Sequence, residues 1–285
     1  MKRVITFSVC LLLLVTAVTC VHKNKRPLWV ARYDAPEIGW GVPNSIAVDN
    51  SGNVYVTGES QGSESINSAY ATVKYDSLGN QLWAVRYNGP GIIHLNKANS
   101  LAVDNSGNVY VTGCSGGLDI NSLDYATVKY DSLGNELWVA RYDGSANEED
   151  RANSIAVDNS GNVYVTGCSK GSALLDANMD YATIKYDSLG NQLWVARYDG
   201  SANEDDRAYS LALDNSGNVY VTGYSGGSGG INSDYATVKY DSLGSQLWVA
   251  RYDGSANEDD RAYSLALDNS GNVYVTGCSK GSALL

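Results

Sequence analysis

A ten-residue phrase, Asp-Asn-Ser-Gly-Asn-Val-Tyr-Val-Thr-Gly, begins at Asp49, Asp104, Asp158, Asp214 and Asp268, at intervals of 55, 54, 56 and 54 residues. Nothing else in the chain constrains its fold as strongly. A fixed period of this length marks stacked supersecondary units, none of which buries its apolar surface alone. Two further phrases keep the same register. Tyr-Ala-Thr-(Val/Ile)-Lys-Tyr-Asp-Ser-Leu-Gly starts at Tyr70, Tyr125, Tyr181 and Tyr235. Leu-Trp-x-x-Arg-Tyr puts Trp29, Trp83, Trp138, Trp194 and Trp248 at one position of the repeat. Residues 192–223 and 246–277 are identical, so the copies report repeat geometry rather than a shared active site.

Each repeat predicts two β-hairpins. In the first complete one, strand a is Ser45–Asp49, b is Val54–Gly58, c is Tyr70–Asp76 and d is Gln81–Tyr87. Both turns read Asp-x-x-Gly-Asn, with Ser245 once in place of the Asn. The Asp accepts backbone N–H bonds at the turn entry and the Gly supplies a positive φ. The strand runs are rich in Val, Ile, Tyr, Trp and Thr and carry substantial side chains on both faces, as a sheet packed between two neighbours requires. The fold expected is all-β: a β-propeller of four-stranded antiparallel blades. A lone d strand at Leu28–Tyr33 precedes four complete blades and a partial fifth, which reads as truncated from a larger ring.

Short a–b and c–d turns share one face of such a disc. The b–c connections (Glu59–Ala69, Cys114–Asp124, Cys168–Asp180 and Tyr224–Asp234) and the d–a connections share the other. They carry most of the variation between repeats and form the expected interaction face.

Residues 1–20 have the layout of an export signal: Lys2 and Arg3, then an apolar run from Val4 to Val18. Residues 21–27 read as a short linker and 28–285 as the repeats. Cleavage after Ala17 and lipid attachment at Cys20 are the two alternatives, and both place the protein outside the cell or on its outer surface, with membrane contact only through an N-terminal lipid. The formal charge of −11 excludes a nucleic-acid backbone as partner. Cys114, Cys168 and Cys278 occupy one repeated position, which argues against a disulfide framework.

The quoted phrases resemble the SBBP family of bacterial β-propeller repeats over about residues 28–285, and the a–b half is similar to NHL-type blades. That resemblance implies an exported or cell-surface protein without an assigned activity. Asp-Ser-Leu-Gly-Asn-Gln-Leu-Trp is similar to the tryptophan-docking motif of quinoprotein propellers, but one residue shorter between Asp and Gly, and no quinone site accompanies it. No cofactor is implied.

The candidate ligand-binding residues are the acidic d–a connections: Glu148, Glu149 and Asp150; Glu204, Asp205 and Asp206; Glu258, Asp259 and Asp260. Carboxylates repeated around one face suit Ca²⁺ or a cationic partner, while exposed pairing of each Asp with the adjacent Arg is the plainer reading. The function expected is a non-catalytic binding or scaffold module for an extracellular protein or glycan. The alternatives are a carboxylate-dependent lyase or hydrolase of extracellular polysaccharide and a structural Ca²⁺ propeller. Only two His occur, His22 and His94, and no Ser/His/Asp set paired with a strained nucleophile elbow is visible, so no catalytic residue is assigned. The Trp positions and Lys74, opposite Trp83, are expected to hold blades together.

Overall fold

The computed structural model describes residues 16–21, 27–33, 40–61, 68–90, 95–117, 122–144, 148–171, 178–202, 204–227, 232–255 and 258–280, with side chains from residue 27 onward. Among them all regular structure is β. Strands β1 (Thr16–Val21) and β2 (Pro27–Tyr33) pair antiparallel. The first blade contains β3 (Gly41–Val48), β4 (Val54–Gln61), β5 (Ser68–Tyr75) and β6 (Gln81–Tyr87). The second contains β7 (Asn96–Val103), β8 (Val109–Gly116), β9 (Leu123–Tyr130) and β10 (Glu136–Tyr142). The third contains β11 (Asp150–Val157), β12 (Val163–Lys170), β13 (Met179–Tyr186) and β14 (Gln192–Tyr198), and the fourth β15 (Arg207–Leu213), β16 (Val219–Gly226), β17 (Ser233–Tyr240) and β18 (Gln246–Tyr252). A last pair is β19 (Asp260–Leu267) and β20 (Val273–Ser279). In every blade spatial order follows chain order, and all pairings are antiparallel.

Strand d of the first blade matches its expected span, whereas a, b and c each run further at the loop end. A bulge in strand a, between Pro43 and Ser45, hides this extension from a period-two reading. The bulge recurs in the other a strands. It re-aims one side chain out of the sheet: Asn44 Nδ2 donates to the Ala98 carbonyl of the next blade at 2.7 Å, and Asn99 and Asn153 repeat the contact. The N-terminal d strand is not alone. β1 pairs with it in the register of a c strand, Cys20 opposite Trp29 as Lys74 stands opposite Trp83.

The two repeated turns have the expected chemistry. Asp49 Oδ1 accepts N–H bonds from Ser51 and Asn53, Oδ2 accepts from Asn53 Nδ2 and Tyr55 Oη, and Gly52 sits at φ 81°. These bonds favour the anion and hold the Asp49 carboxyl below its ordinary pKa against the opposing effect of burial.

Blades interlock through the same contacts at each junction. Trp83 Nε1 and Lys74 Nζ both donate to the Ser132 carbonyl of the following blade, each at 3.1 Å. Gly134, at φ 88°, lies so close under the Trp83 ring that a Cβ there would sit 3.1 Å from it. Tyr70 Oη donates to Ala126 O. The Lys74 ammonium lies 5.0 Å from the centre of the Tyr55 ring; Tyr55 on strand b, rather than Trp83, is its aromatic partner. Tyr55, Tyr70, Val109, Val111 and Val128 form one apolar cluster spanning two blades. The equivalents of Tyr55 show what the neighbour contributes: Tyr55, Tyr110, Tyr164 and Tyr220 are buried, whereas Tyr274 on β20 is 59% exposed. Within each sheet, Thr57 and Thr72 share a buried hydroxyl–hydroxyl bond of 2.9 Å, repeated by Thr112–Thr127, Thr166–Thr183 and Thr222–Thr237.

Candidate functional site

The nine carboxylates of the d–a connections fall into three structural sets. Asp150, Asp206 and Asp260 are buried, at or just before the start of strand a. Asp206 accepts N–H bonds from Gly200 and Gly226, at 2.5 and 3.0 Å. Asp150 does the same with Gly144 and Lys170. Burial nonetheless pushes both carboxyls up to about 6, against the backbone bonds and the Ser169 or Ser225 hydroxyl, and with further help from Asp143 or Asp199.

The middle acids tie each connection to the preceding blade. Asp205 Oδ1 accepts from Met179 N, and Asp259 Oδ1 from Ser233 N and Oγ. Glu149 bridges Leu123 through the backbone. The same three pair with Arg207, Arg261 and Arg151. The outermost acids reach solvent: Glu148 and Glu258 meet Lys170 and Lys280 at 2.7 and 3.0 Å, and Glu204 is exposed. Thus each Arg pairs with the acid two residues before it and not with the adjacent Asp of the plainer reading, and Asp150, Asp206 and Asp260 are interior groups rather than loop charges.

Among the described residues, one trio of carboxylates converges, with oxygens of Asp180, Asp199 and Asp206 within 4.8 Å of one another. Two of the three were not singled out from sequence. The signal available was an Asp–Arg pair seventeen residues apart in three repeats: Asp124–Arg141 at 2.7 Å, Asp180–Arg197 at 2.7 Å and Asp234–Arg251 at 2.9 Å. The fit to Ca²⁺ is poor. That ion takes six to eight oxygens, whereas Asp180 Oδ2 faces Arg197 and both Asp206 oxygens face backbone N–H donors. Asp180 and Asp206 are the buried members of a node that includes the Arg197 ion pair, and Asp199 is its exposed member. At the first junction the same three positions are Ala69, Asn88 and Asn96, a neutral version. There Asn96 Nδ2 donates to Ser68 O and Asn88 O, and Oδ1 accepts from Ser115 Oγ at 2.6 Å.

The middle of each b–c connection (62–67, 118–121, 172–177 and 228–231), together with His22 and His94, lies outside the described residues. So does the Cys20 side chain. Cys114 and Cys168 are buried and free, and Cys278 is free and exposed. Burial raises the Cys168 thiol to about 11.

A model of the SBBP β-propeller repeat matches the chain five times, at residues 42–64, 93–120, 140–172, 194–230 and 248–282, together more than half of it. An uncharacterized WD repeat-containing protein of Acanthamoeba polyphaga mimivirus is 27% identical over 110 residues, covering 34% of this chain; the match spans 8% of that relative's length. Among solved structures, Penicillium chrysogenum α-L-arabinanase complexed with arabinobiose aligns with a TM-score of 0.54 at 12% identity, over 85% of this chain and 76% of that one. A protein of unknown function from Dyadobacter fermentans aligns with a TM-score of 0.51 at 9% identity, over 82% and 74%. At such identities the likeness is one of fold.

Proposed function

The chain belongs to the SBBP β-propeller repeat family, and we propose that it is a non-catalytic, exported binding module that presents its b–c connections on a rigid frame. The observation that carries this reading is the division of the repeat. The frame repeats the same bonds from blade to blade, whereas the b–c connections of the four complete blades differ in sequence, and that of the third is two residues longer than the other three. A frame fixed by repeated bonds tolerates such variation at little conformational cost, which is how loops on a scaffold acquire specificity.

The carboxylates support the non-catalytic part. Of those that converge, Asp180 and Asp206 are buried and engaged by Arg197 or backbone N–H groups and Asp199 is exposed, while the outermost pair with Lys or face solvent singly. Export rests on the basic start and apolar run of residues 1–18. Removal of that segment at Ala17 or Cys20 takes part or most of β1 with it and leaves β2 docked by Trp29, whose Nε1 donates to Ser77 O.

The test is an array of extracellular glycans and a pull-down from culture medium with the full chain. In a second chain all four b–c connections are replaced by one of them, with melting monitored in parallel. Retention by the first and loss by the second at equal stability is the expected result. Equal retention by both removes the b–c face from the reading.

A further inference from the structure

Between neighbouring a–b turns, on the face opposite the acidic connections, the blades leave clefts of repeated composition. The one between the first and second blades encloses about 330 Å³ and the next about 360 Å³, within the range that holds a small polar ligand. The walls are the Asp-Asn-Ser-Gly-Asn turns of two blades: Asn50 and Ser51 with Asn105 and Ser106 in the first cleft, then Asn105 and Ser106 with Asn159 and Ser160 in the second. Lys74 or Lys129 lines the inner part, anchored to Ser132 O or Ser188 O at 3.1 Å. The same anchor recurs at the third junction, from Lys185 to Ser242 O.

The chemistry of this lining is selective. Both oxygens of Asp49 and of Asp104 are engaged by the turn's own donors, so they offer a metal ion little. The Asn and Ser side chains are exposed and take no part in the turn's hydrogen bonds. Each amide and hydroxyl both donates and accepts, and the Lys ammonium keeps two donors beyond its Ser contact. Val48, 57% exposed, and Val103 supply an apolar patch beside them. Two carboxylates against one ammonium make each cleft unfavourable for an anion. Paired donors and acceptors next to C–H surface suit a neutral polyhydroxylated ring.

We propose that these clefts bind neutral saccharide units, one at each junction, arrayed along the turn face. This site is separate from the b–c face, and multiplicity along one rigid arc favours polymers over single sugars through effective concentration.

The experiment is calorimetric titration of the full chain with neutral gluco-, manno-, xylo- and arabino-oligosaccharides and with a uronate oligomer, followed by retention on the corresponding polymers. The variants are N50A/N105A and S51A/S106A, at exposed positions outside the turn's bonding, and the chain with exchanged b–c connections. The proposal expects binding of at least one neutral series at more than one site, with the number of sites lowered in N50A/N105A and unchanged by the b–c exchange, and with polymer held more tightly than monomer. Absence of binding by every neutral series, indifference to both turn variants, loss on b–c exchange or preference for the uronate overturns it. The b–c exchange separates failure here from failure of the reading above.

Discussion

Replacing Asp206 by Asn tests the interior carboxylates directly. The residue is wholly buried, and its carboxyl titrates near 6 in the folded chain, against about 3.9 in an unfolded one. Because the folded value is the higher, the protonated form is favoured by folding. The stabilisation is complete below pH of about 4 and is lost as pH rises through 6. The whole effect is about 1.36 kcal/mol per pKa unit over roughly two units, or about 3 kcal/mol, of which about 1.4 falls between pH 5 and pH 7.5. The groups facing Asp206 are Asp199, Asp180 with its Arg197, and Tyr181. An Asn carries no charge to desolvate, and Asn96 at the equivalent position satisfies its amide fully. Urea titrations of D206N and the parent chain at matched pH read the difference. The turn Asp residues, whose carboxyls are held low, act in the opposite sense but cancel in the comparison. D206N should gain about 1.4 kcal/mol on the parent from pH 5 to pH 7.5. Parallel curves, or a variant that loses ground as pH rises, refute the reasoning.

Trp138→Ala removes a ring packed on Gly190 and a bond to Ser188 O at 3.1 Å, and should cost about 3–5 kcal/mol in urea unfolding. Gly190→Ala combines a φ of 87° with a Cβ 2.9 Å from that ring; it should lose at least about 1 kcal/mol, whereas Gly271→Ala, at φ 83° with open space around it, should show the backbone strain alone. Thr112→Val leaves the Thr127 hydroxyl without its 2.9 Å partner and should destabilise by about 1–2 kcal/mol by the same assay. Alkylation mapped by mass spectrometry at pH 8 should modify Cys278 in the native protein and leave Cys114 and Cys168, buried with raised thiol pKa values, until denaturant is added.

Local chemistry repeated in the sequence determined most of the architecture. Asp-x-x-Gly-Asn fixed the turns because Asp acceptance and a positive-φ Gly are properties of four or five adjacent residues. The both-sided runs Val54-Tyr55-Val56-Thr57 and Leu137-Trp138-Val139-Ala140 implied sheets covered on two faces, which holds for strand b, whereas Leu137 and Val139 on the outer strand d are exposed. The docking role of Trp83 also followed from its constant position. Tertiary structure alone decided which groups lose water. Glu148, Glu149 and Asp150 are consecutive and chemically alike. Yet one meets Lys170 at the surface, one pairs with Arg151 and bridges the preceding blade, and one is sealed at a junction. That sorting depends on partners distant in sequence, Lys170 on the neighbouring strand of the same blade and Leu123 of the preceding one, brought close by pairing within and between sheets. The same holds for Lys74, whose ammonium settled on the Tyr55 ring instead of Trp83, and for the bulge that turns Asn44 toward Ala98. Sequence period reports which way a side chain leaves its own sheet, but the neighbour it meets, and hence its charge state, is set by how two sheets pack.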